Sequence, residues 1–241
     1  MTKYGLIGRS LKHSFSKSFF TDYFSEQMID ASYDSIEMNS LDEVKHFFNG
    51  EYQGLNVTIP YKEAIIPLLD ELTDEATAIG AVNVIQFKDG RTIGHNTDTF
   101  GFHQSIKPFL TNKHERALIF GTGGASKAVA HVLKSIGLDI IYISREPVGE
   151  NQFGYDEVNE GMFNACKLLV NTTPVGTFPN SEDHLDLPYH FLSDEHLVVD
   201  LIYNPAKSKF LELSEAQGAL ILNGLTMLKQ QALKSWQIWT S

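Results

Sequence analysis

The segment that most constrains this chain is Gly121-Thr122-Gly123-Gly124-Ala125-Ser126, set between an apolar run and an amphipathic one. Ahead of it, Ala117-Leu118-Ile119-Phe120 has the unbroken hydrophobicity of a buried strand. Behind it, Ala125, Ala128, Val129, Val132, Leu133 and Ile136 recur at helical spacing, and Gly137 supplies a stop. A strand, a glycine turn and a helix in that order open a dinucleotide-binding fold, in which bare backbone lets a pyrophosphate reach the helix N-terminus. Ser126 stands where the usual pattern has its third glycine. Glycines in a strand-to-helix turn also serve purely steric ends, so the residues by themselves leave a nucleotide site and a tight turn both open.

The rest of the chain is large enough to carry such a unit and more. With 241 residues, 42% of them apolar, it can bury one large core or two modest ones, and length alone allows about two domains. Acidic residues number 30 against 19 basic, a formal charge of -11. That field disfavours nucleic acid and anionic membranes, so any bound phosphate must be held by local groups. The single cysteine, Cys166, excludes an internal disulfide and a multi-cysteine zinc site, and fits a reducing cytoplasm. No apolar run has the length of a membrane span, and the first residues lack a signal-peptide core.

In chain order the N-terminal part alternates short apolar runs with helical patterns. Tyr4 to Ile7, Ala31 to Ile36 and Gly54 to Val57 read as strands, Lys17 to Gln27 and Leu41 to Phe48 as helices. This rhythm predicts a mostly parallel, helix-covered sheet. Val84 to Phe87 and Arg91 to Gly94 flank a Lys88-Asp89-Gly90 turn and read as a hairpin, and Thr99 to Leu110 returns to helical spacing as a crossing to a second domain. There, strands are expected at Ile140 to Ile143, Leu168 to Val170, Leu197 to Leu201 and Ala219 to Leu222. Leu225, Leu228, Ala232, Trp236 and Trp239 define a final amphipathic helix.

Polar residues inside this apolar frame are where chemistry is sought. His13-Ser14-Phe15-Ser16 follows the first strand; if extended, it turns both hydroxyls to one side, where they could meet one carboxylate, while a helix N-cap from Ser16 is the plainer alternative. Asn56-Val57-Thr58-Ile59-Pro60-Tyr61-Lys62 ends a strand with Asn and Thr on one face and a lysine just beyond, which by itself is more often solvated than catalytic. Asn96-Thr97-Asp98 ends the hairpin as either a helix cap or a site. Asn171-Thr172-Thr173-Pro174 follows a strand at the sheet edge where ligands of open α/β folds collect. The histidines, among them His95, His103 and His131, form no ligand pattern.

Taken together, the chain resembles the shikimate dehydrogenase family over nearly its whole length. Ser14-Phe15-Ser16 is similar to the family's serine pair and Asn56 to Lys62 to its lysine motif. Ile79-Gly80-Ala81-Val82-Asn83, Asn96-Thr97-Asp98, Gly121 to Ala125, Asn171 to Gly176, Asp200-Leu201-Ile202-Tyr203-Asn204-Pro205 and Gly224-Leu225-Thr226-Met227-Leu228 through Gln231-Ala232 follow in the family's order. Any one of these matches would be weak, whereas the ordered set is highly specific.

The resemblance implies a two-domain α/β protein: a mostly parallel substrate domain over residues 1–101, completed by the C-terminal helix at 225–241, and a Rossmann-like NADP-binding domain over 102–224, with the active-site cleft between them. It implies Lys62 and Asp98 as the acid/base pair and Ser14, Ser16, Thr58, Asn83, Tyr203 and Gln231 as substrate holders. Gly121, Thr122, Gly123, Gly124 and Ala125 would receive the pyrophosphate, Ser144 and Arg145 the 2′-phosphate. Thr173 and Leu201 would line the cofactor groove, and Gly224 and Met227 would meet the nicotinamide. The implied activity is reversible NADPH-dependent reduction of 3-dehydroshikimate to shikimate, in the cytoplasm, by a monomer or homodimer without a metal, nucleic-acid or membrane partner. A quinate/shikimate dehydrogenase using NAD and a non-catalytic dinucleotide-binding sensor are the alternatives. Three departures from the family pattern stand out: Lys17 in place of a proline, a short segment between Arg145 and Leu168 in which a crossover helix is expected to be reduced or missing, and Lys207-Ser208 where a threonine is common. Glu146, following Arg145, also sets a like charge beside any phosphate there.

Overall fold

The computed structural model describes residues 1–11 and 14–241, so His13 lies outside the described residues. The chain divides into two compact units, Met1–Gly101 with Leu228–Ser241, and Phe102–Met227.

In the first unit, strands β1 (Thr2–Gly8), β2 (Ala31–Glu37), β3 (Gly54–Val57), β4 (Glu71–Leu72), β5 (Val84–Lys88) and β6 (Arg91–His95) form one sheet in the order β2-β1-β3-β5-β6-β4. The β1–β2, β1–β3 and β4–β6 pairs are parallel, while β3–β5 and the β5–β6 hairpin are antiparallel, so the sheet is mixed. Helix α1 (Phe15–Glu26), the short α2 (Tyr61–Ala64) and α3 (Asp74–Ile79), and the start of α4 (Asp98–Ile106) accompany it.

The sheet separates two cores. Ile7, Leu55, Val57, Tyr61, Ile65 and Ile85 pack on one face. On the other, Tyr4, Phe20, Phe24 and Tyr33 meet Ala232 and Trp239 of the C-terminal helix α8 (Leu225–Trp239). Trp239 Nε1 donates to Ile85 O at 3.0 Å, and its indole lies where a Cβ on Gly54 would have to go. Each such buried aromatic stabilises the unit by roughly 1.5–3 kcal/mol, which is why the last turns of α8 stay with the first unit.

The second unit is a parallel sheet. Strands β7 (Arg116–Phe120), β8 (Asp139–Ile143), β9 (Gln152–Phe153), β10 (Leu168–Asn171), β11 (Leu197–Asp200) and β12 (Leu220–Leu222) run in the order β12-β11-β10-β7-β8-β9. Every pairing is parallel. Two halves thus wind outward from β7 and β10, the strand order of a doubly wound nucleotide fold. Alternate residues of β7 feed opposite cores: Ala117 and Ile119 face α5 (Gly124–Ser135), Leu118 and Phe120 face α6 (Glu160–Ala165) and α7 (Lys209–Glu215).

Several sequence expectations need correction. Ser16 is not an N-cap: α1 begins at Phe15, its N-cap is Ser14, and no side chain caps it, so the two serines do not lie on an extended strand. Leu41 to Phe48 forms a 3₁₀ helix, Leu41–Phe47, because only Val44 is buried and there is too little apolar face to hold α-helical packing. Ile136 leaves the packed face of α5; as the C-cap residue it is 37% exposed, while Ser126 and Ala130 join the buried set. The short segment after Arg145 holds β9, a 3₁₀ turn and the six-residue α6, so the crossover helix is reduced rather than absent.

Candidate active site

Lys62 sits in the first turn of α2, just past the end of β3, and its Nζ donates to Asp98 Oδ2 at 2.6 Å. Asp98 opens α4, placed by the Asn96 side chain, which accepts the Asp98 backbone N–H at 3.0 Å; the Asn96 cap and the Asp98 site therefore coexist. The other Asp98 oxygen accepts from Asn83 Nδ2 at 2.9 Å. Asn83 has its amide direction imposed by backbone, because Thr97 N donates to Asn83 Oδ1 at 2.8 Å and so turns Nδ2 toward the carboxylate. Gln231 reaches the same cluster from α8, with Oε1 3.5 Å from both Asn83 Nδ2 and Thr97 Oγ1. Asn83, Thr97, Asp98 and Gln231 are buried, and the Lys62 side chain keeps 18% exposure, so solvent reaches the cluster at its lysine end.

The structure thus brings Lys62, Asp98, Asn83 and Gln231 into one hydrogen-bonded group. Thr58 is half-buried where β3 gives way to α2, its backbone N–H donating to Ile7 O at 3.0 Å, and bare Gly8 leaves room for its methyl. Ser14 Oγ is buried and, among the described residues, has no hydrogen-bond partner. Ser16 lies near the Tyr33 hydroxyl, close enough to oppose the rise that burial imposes on it. Tyr203 belongs to the second unit, after β11.

Sequence reasoning did not assign roles to Asn56, Tyr33 and Ser235, which back this group. Asn56 Nδ2 donates to Asn83 O at 3.2 Å and to Ser235 Oγ at 3.0 Å, and its Oδ1 accepts from Tyr33 OH at 2.7 Å. The available signal was an asparagine inside a strand buried at every position, Gly54-Leu55-Asn56-Val57, since buried amides must be fully partnered.

In the second unit the glycine turn leaves β7 at the switch point, beside the end of β10. Gly121 has φ +102, which favours glycine, and a Cβ there would lie 2.8 Å from Thr172 Oγ1. Ser126, at the usual third-glycine position, is accommodated by donating its hydroxyl to Gly121 O at 2.8 Å. Gly123 is the N-cap of the 12-residue α5; no side chain caps that end, its first turn carries no acid, and a Cβ on Gly123 would meet nothing. Thr122 and Gly123 are exposed, and Gly124 and Ala125 half-buried. Uncapped N–H groups at a helix start, opened to solvent by bare backbone, fit the pyrophosphate of a dinucleotide.

Thr173 is held by Asn171, whose Oδ1 accepts both Thr173 N and Thr173 Oγ1, at 2.9 and 2.7 Å. Asn171 is fixed in turn by donating to buried Asp200 at 3.0 Å. Asp200 also accepts from Ile202 N and from Ser208 Oγ. Burial drives its carboxyl up to about 6, against the opposing pull of Ser208, Ile202 and Asn171. Leu201 is half-buried, and a Cβ on Gly224 would collide with its carbonyl. Met227 is packed into the core beside Val129 and Val199 rather than standing open. Ser144 Oγ closes a turn onto Glu146, accepting its N–H at 3.3 Å. Arg145 and Glu146 are both exposed, and among the described residues no ion pair joins them.

These features define a class: a two-unit α/β protein that couples a doubly wound, nucleotide-type parallel sheet with a mixed-sheet unit bearing a lysine–aspartate pair. Comparison with known proteins narrows it. Residues 6–85 match the family description "Shikimate dehydrogenase substrate binding domain". Shikimate dehydrogenases (NADP(+)) of Methanosphaera stadtmanae and Aquifex aeolicus are 32% and 36% identical, each over 98% of this chain and 90% of the relative. The crystal structure of a Thermus thermophilus shikimate 5-dehydrogenase in complex with NADP(H) and shikimate superposes with a TM-score of 0.88 at 30% identity, covering 100% of this chain and 94% of the other. A quinate dehydrogenase from Corynebacterium glutamicum in complex with NAD gives a TM-score of 0.86 at 28% identity, covering 99% and 93%. The chain belongs to the shikimate dehydrogenase family.

Proposed function

We propose that this chain is an NADP-dependent shikimate dehydrogenase, reversibly reducing the ketone of 3-dehydroshikimate to the hydroxyl of shikimate. The observation that carries this reading is the Lys62–Asp98 contact at 2.6 Å, held from behind by Asn83. Reduction of a ketone adds a hydride to carbon and a proton to oxygen, so a proton donor must lie within hydrogen-bond reach of that oxygen. NADPH, when bound, supplies the hydride. Lys62 gives its proton to the developing alkoxide and recovers one from solvent through its exposed end; in the oxidative direction it takes the hydroxyl proton. Asp98 aims the lysine and balances its charge, and Asn83 fixes Asp98. Ser14 and Ser16 hold the substrate carboxylate, while Thr58, Asn83, Tyr203 and Gln231 take its hydroxyls, short polar groups that bring no competing negative charge. Gly121 to Ala125 receive the pyrophosphate, Thr173 and Leu201 line the groove, Gly224 and Met227 meet the nicotinamide, and Ser144 with Arg145 meets the 2′-phosphate. The same reading makes it a cytoplasmic enzyme, monomeric or homodimeric; among the described residues no helix is long and apolar enough to cross a membrane.

One observation favours a second reading, use of NAD: Glu146 places a carboxylate next to Arg145, where an arginine would otherwise select the phosphate unopposed. Initial rates measured with shikimate and quinate, each with NADP⁺ and NAD⁺, decide between them. The highest kcat/KM is expected for shikimate with NADP⁺. A higher value with NAD⁺ or quinate would transfer the assignment, and no turnover in any combination would leave a nucleotide-binding sensor.

A further inference from the structure

The acid/base pair is the exposed end of a longer buried path. From Lys62 it runs through Asp98, Asn83 and Thr97 to Ser235 on α8, then to Asn56 on β3, and from there to Tyr33 on β2. Relative exposures fall between 0% for Ser235 and 6% for Asp98 along the stretch from Tyr33 to Asp98, so water is excluded from it. Two asparagines interrupt the path, and amides do not relay protons, so this is a positioning network and not a proton wire.

Its proton order follows from the partners. Tyr33 donates to Asn56 Oδ1, which obliges the Asn56 amide to present its nitrogen to Ser235 Oγ and Asn83 O. Ser235, accepting from Asn56, directs its own proton to Gln231 O at 2.9 Å. The Asn83 carbonyl therefore receives two donors, Asn56 Nδ2 and the Val57 N–H at 2.9 Å, and residue 83 is pinned with its side chain on Asp98. Burial pushes the Tyr33 hydroxyl far above its ordinary range, so it remains a donor at any working pH. Without that donor Asn56 Oδ1 is left buried and unpaired, and the amide keeps only its contacts to Asn83 O and Ser235 Oγ.

We infer that Tyr33 is a positioning residue for the Lys62–Asp98 pair, acting through Asn56 and Asn83, with Ser235 locking the same amide from α8. The inference rests on the assignment of Lys62 and Asp98 as the acid/base pair. It gives the C-terminal helix a part in the chemistry beyond Gln231.

The test is a double-mutant cycle on the full-length protein with shikimate and NADP⁺. Tyr33→Phe removes one hydroxyl from an otherwise retained aromatic core and is expected to lower kcat about tenfold while KM for shikimate stays within about threefold. In a Lys62→Ala background the same substitution is expected to have no further effect on kcat. Ser235→Ala should show the same pattern more weakly and serves if Tyr33→Phe fails to fold. An unchanged kcat, or an equal loss in both backgrounds, would overturn the inference, the second result meaning a merely structural role. A readout independent of turnover is the ¹⁵N resonance of the Lys62 ammonium. It should be sharp in the wild type and broadened in Tyr33→Phe; an identical signal in both would overturn the inference even if the wild type proved inactive on shikimate, a result that would count against the proposed function alone.

Discussion

Two buried aspartates organise the two units, and they are partnered in opposite ways. Asp98 meets a lysine and an amide at the rim of its unit, where the lysine keeps a path to solvent. Among the described residues, Asp200 meets only neutral donors, Asn171, Ser208 and the Ile202 N–H, and it is fully enclosed. Hydrogen bonds from neutral groups do not replace lost hydration as a cation does, and burial carries the Asp200 carboxyl up to about 6. The contrast separates an acid placed to work on another group from one placed to hold loops: Asp200 ties the end of β10 to the segment after β11, and so orders Thr173 beside the glycine turn.

The largest expected effect tests the Asp98 side of the contrast. Lys62→Ala should lower kcat by about 10²–10⁴-fold with KM for shikimate within a few-fold; steady-state kinetics giving a near-normal kcat would remove Lys62 from the chemistry.

The next tests Asp200. Because the folded chain binds this proton more tightly than the unfolded chain, Asp200 favours the fold most below the ordinary carboxylate range, and that contribution is lost as pH rises through about 6. Asp200→Asn abolishes the slope, so its stability relative to wild type should rise by about 3 kcal/mol from about pH 3 to pH 7, read from urea denaturation. Parallel curves would show Asp200 to behave as an ordinary carboxylate.

Ser208→Ala should cost about 2 kcal/mol, since it deprives Asp200 of a donor and leaves α7 without the cap that accepts Leu211 N. A loss within error in thermal melts would place the burden on Asn171 and Ile202 alone. The smallest effect concerns an exposed position: Arg145→Ala should raise KM for NADP⁺ by about tenfold without changing that for NAD⁺, and Glu146→Thr should lower it. An intact NADP⁺ preference in Arg145→Ala would exclude the guanidinium from selectivity.

Most of the framework was legible in the residues. The bounds of β3, the β5–β6 hairpin, the glycine turn and α8 follow from hydrophobic period and turn chemistry, which act over a few residues. The errors came from beyond that range. The 3₁₀ helix at Leu41–Phe47 and the start of α1 at Phe15 depend on how much of each segment finds a partner, which no window of sequence contains. Asn56 and Thr97 were visible within motifs, but their partners were not: Ser235 is 179 residues from Asn56, on a helix whose apolar face concealed it.

By itself, then, the order of the residues determined that a glycine must follow β7, that a strand–turn–helix unit stands there, and that a lysine ends one strand while an aspartate opens a helix. These are properties of covalent geometry and short-range period, where positive φ admits glycine and apolar spacing selects helix or strand. Only the tertiary structure decided that Lys62, Asp98, Asn83 and Gln231 share one hydrogen-bonded group, and that Asp200 is left with neutral company. The partners come from strands and helices far apart in the chain, and they meet because burying the two faces of each sheet leaves every enclosed polar group to find its partner inside.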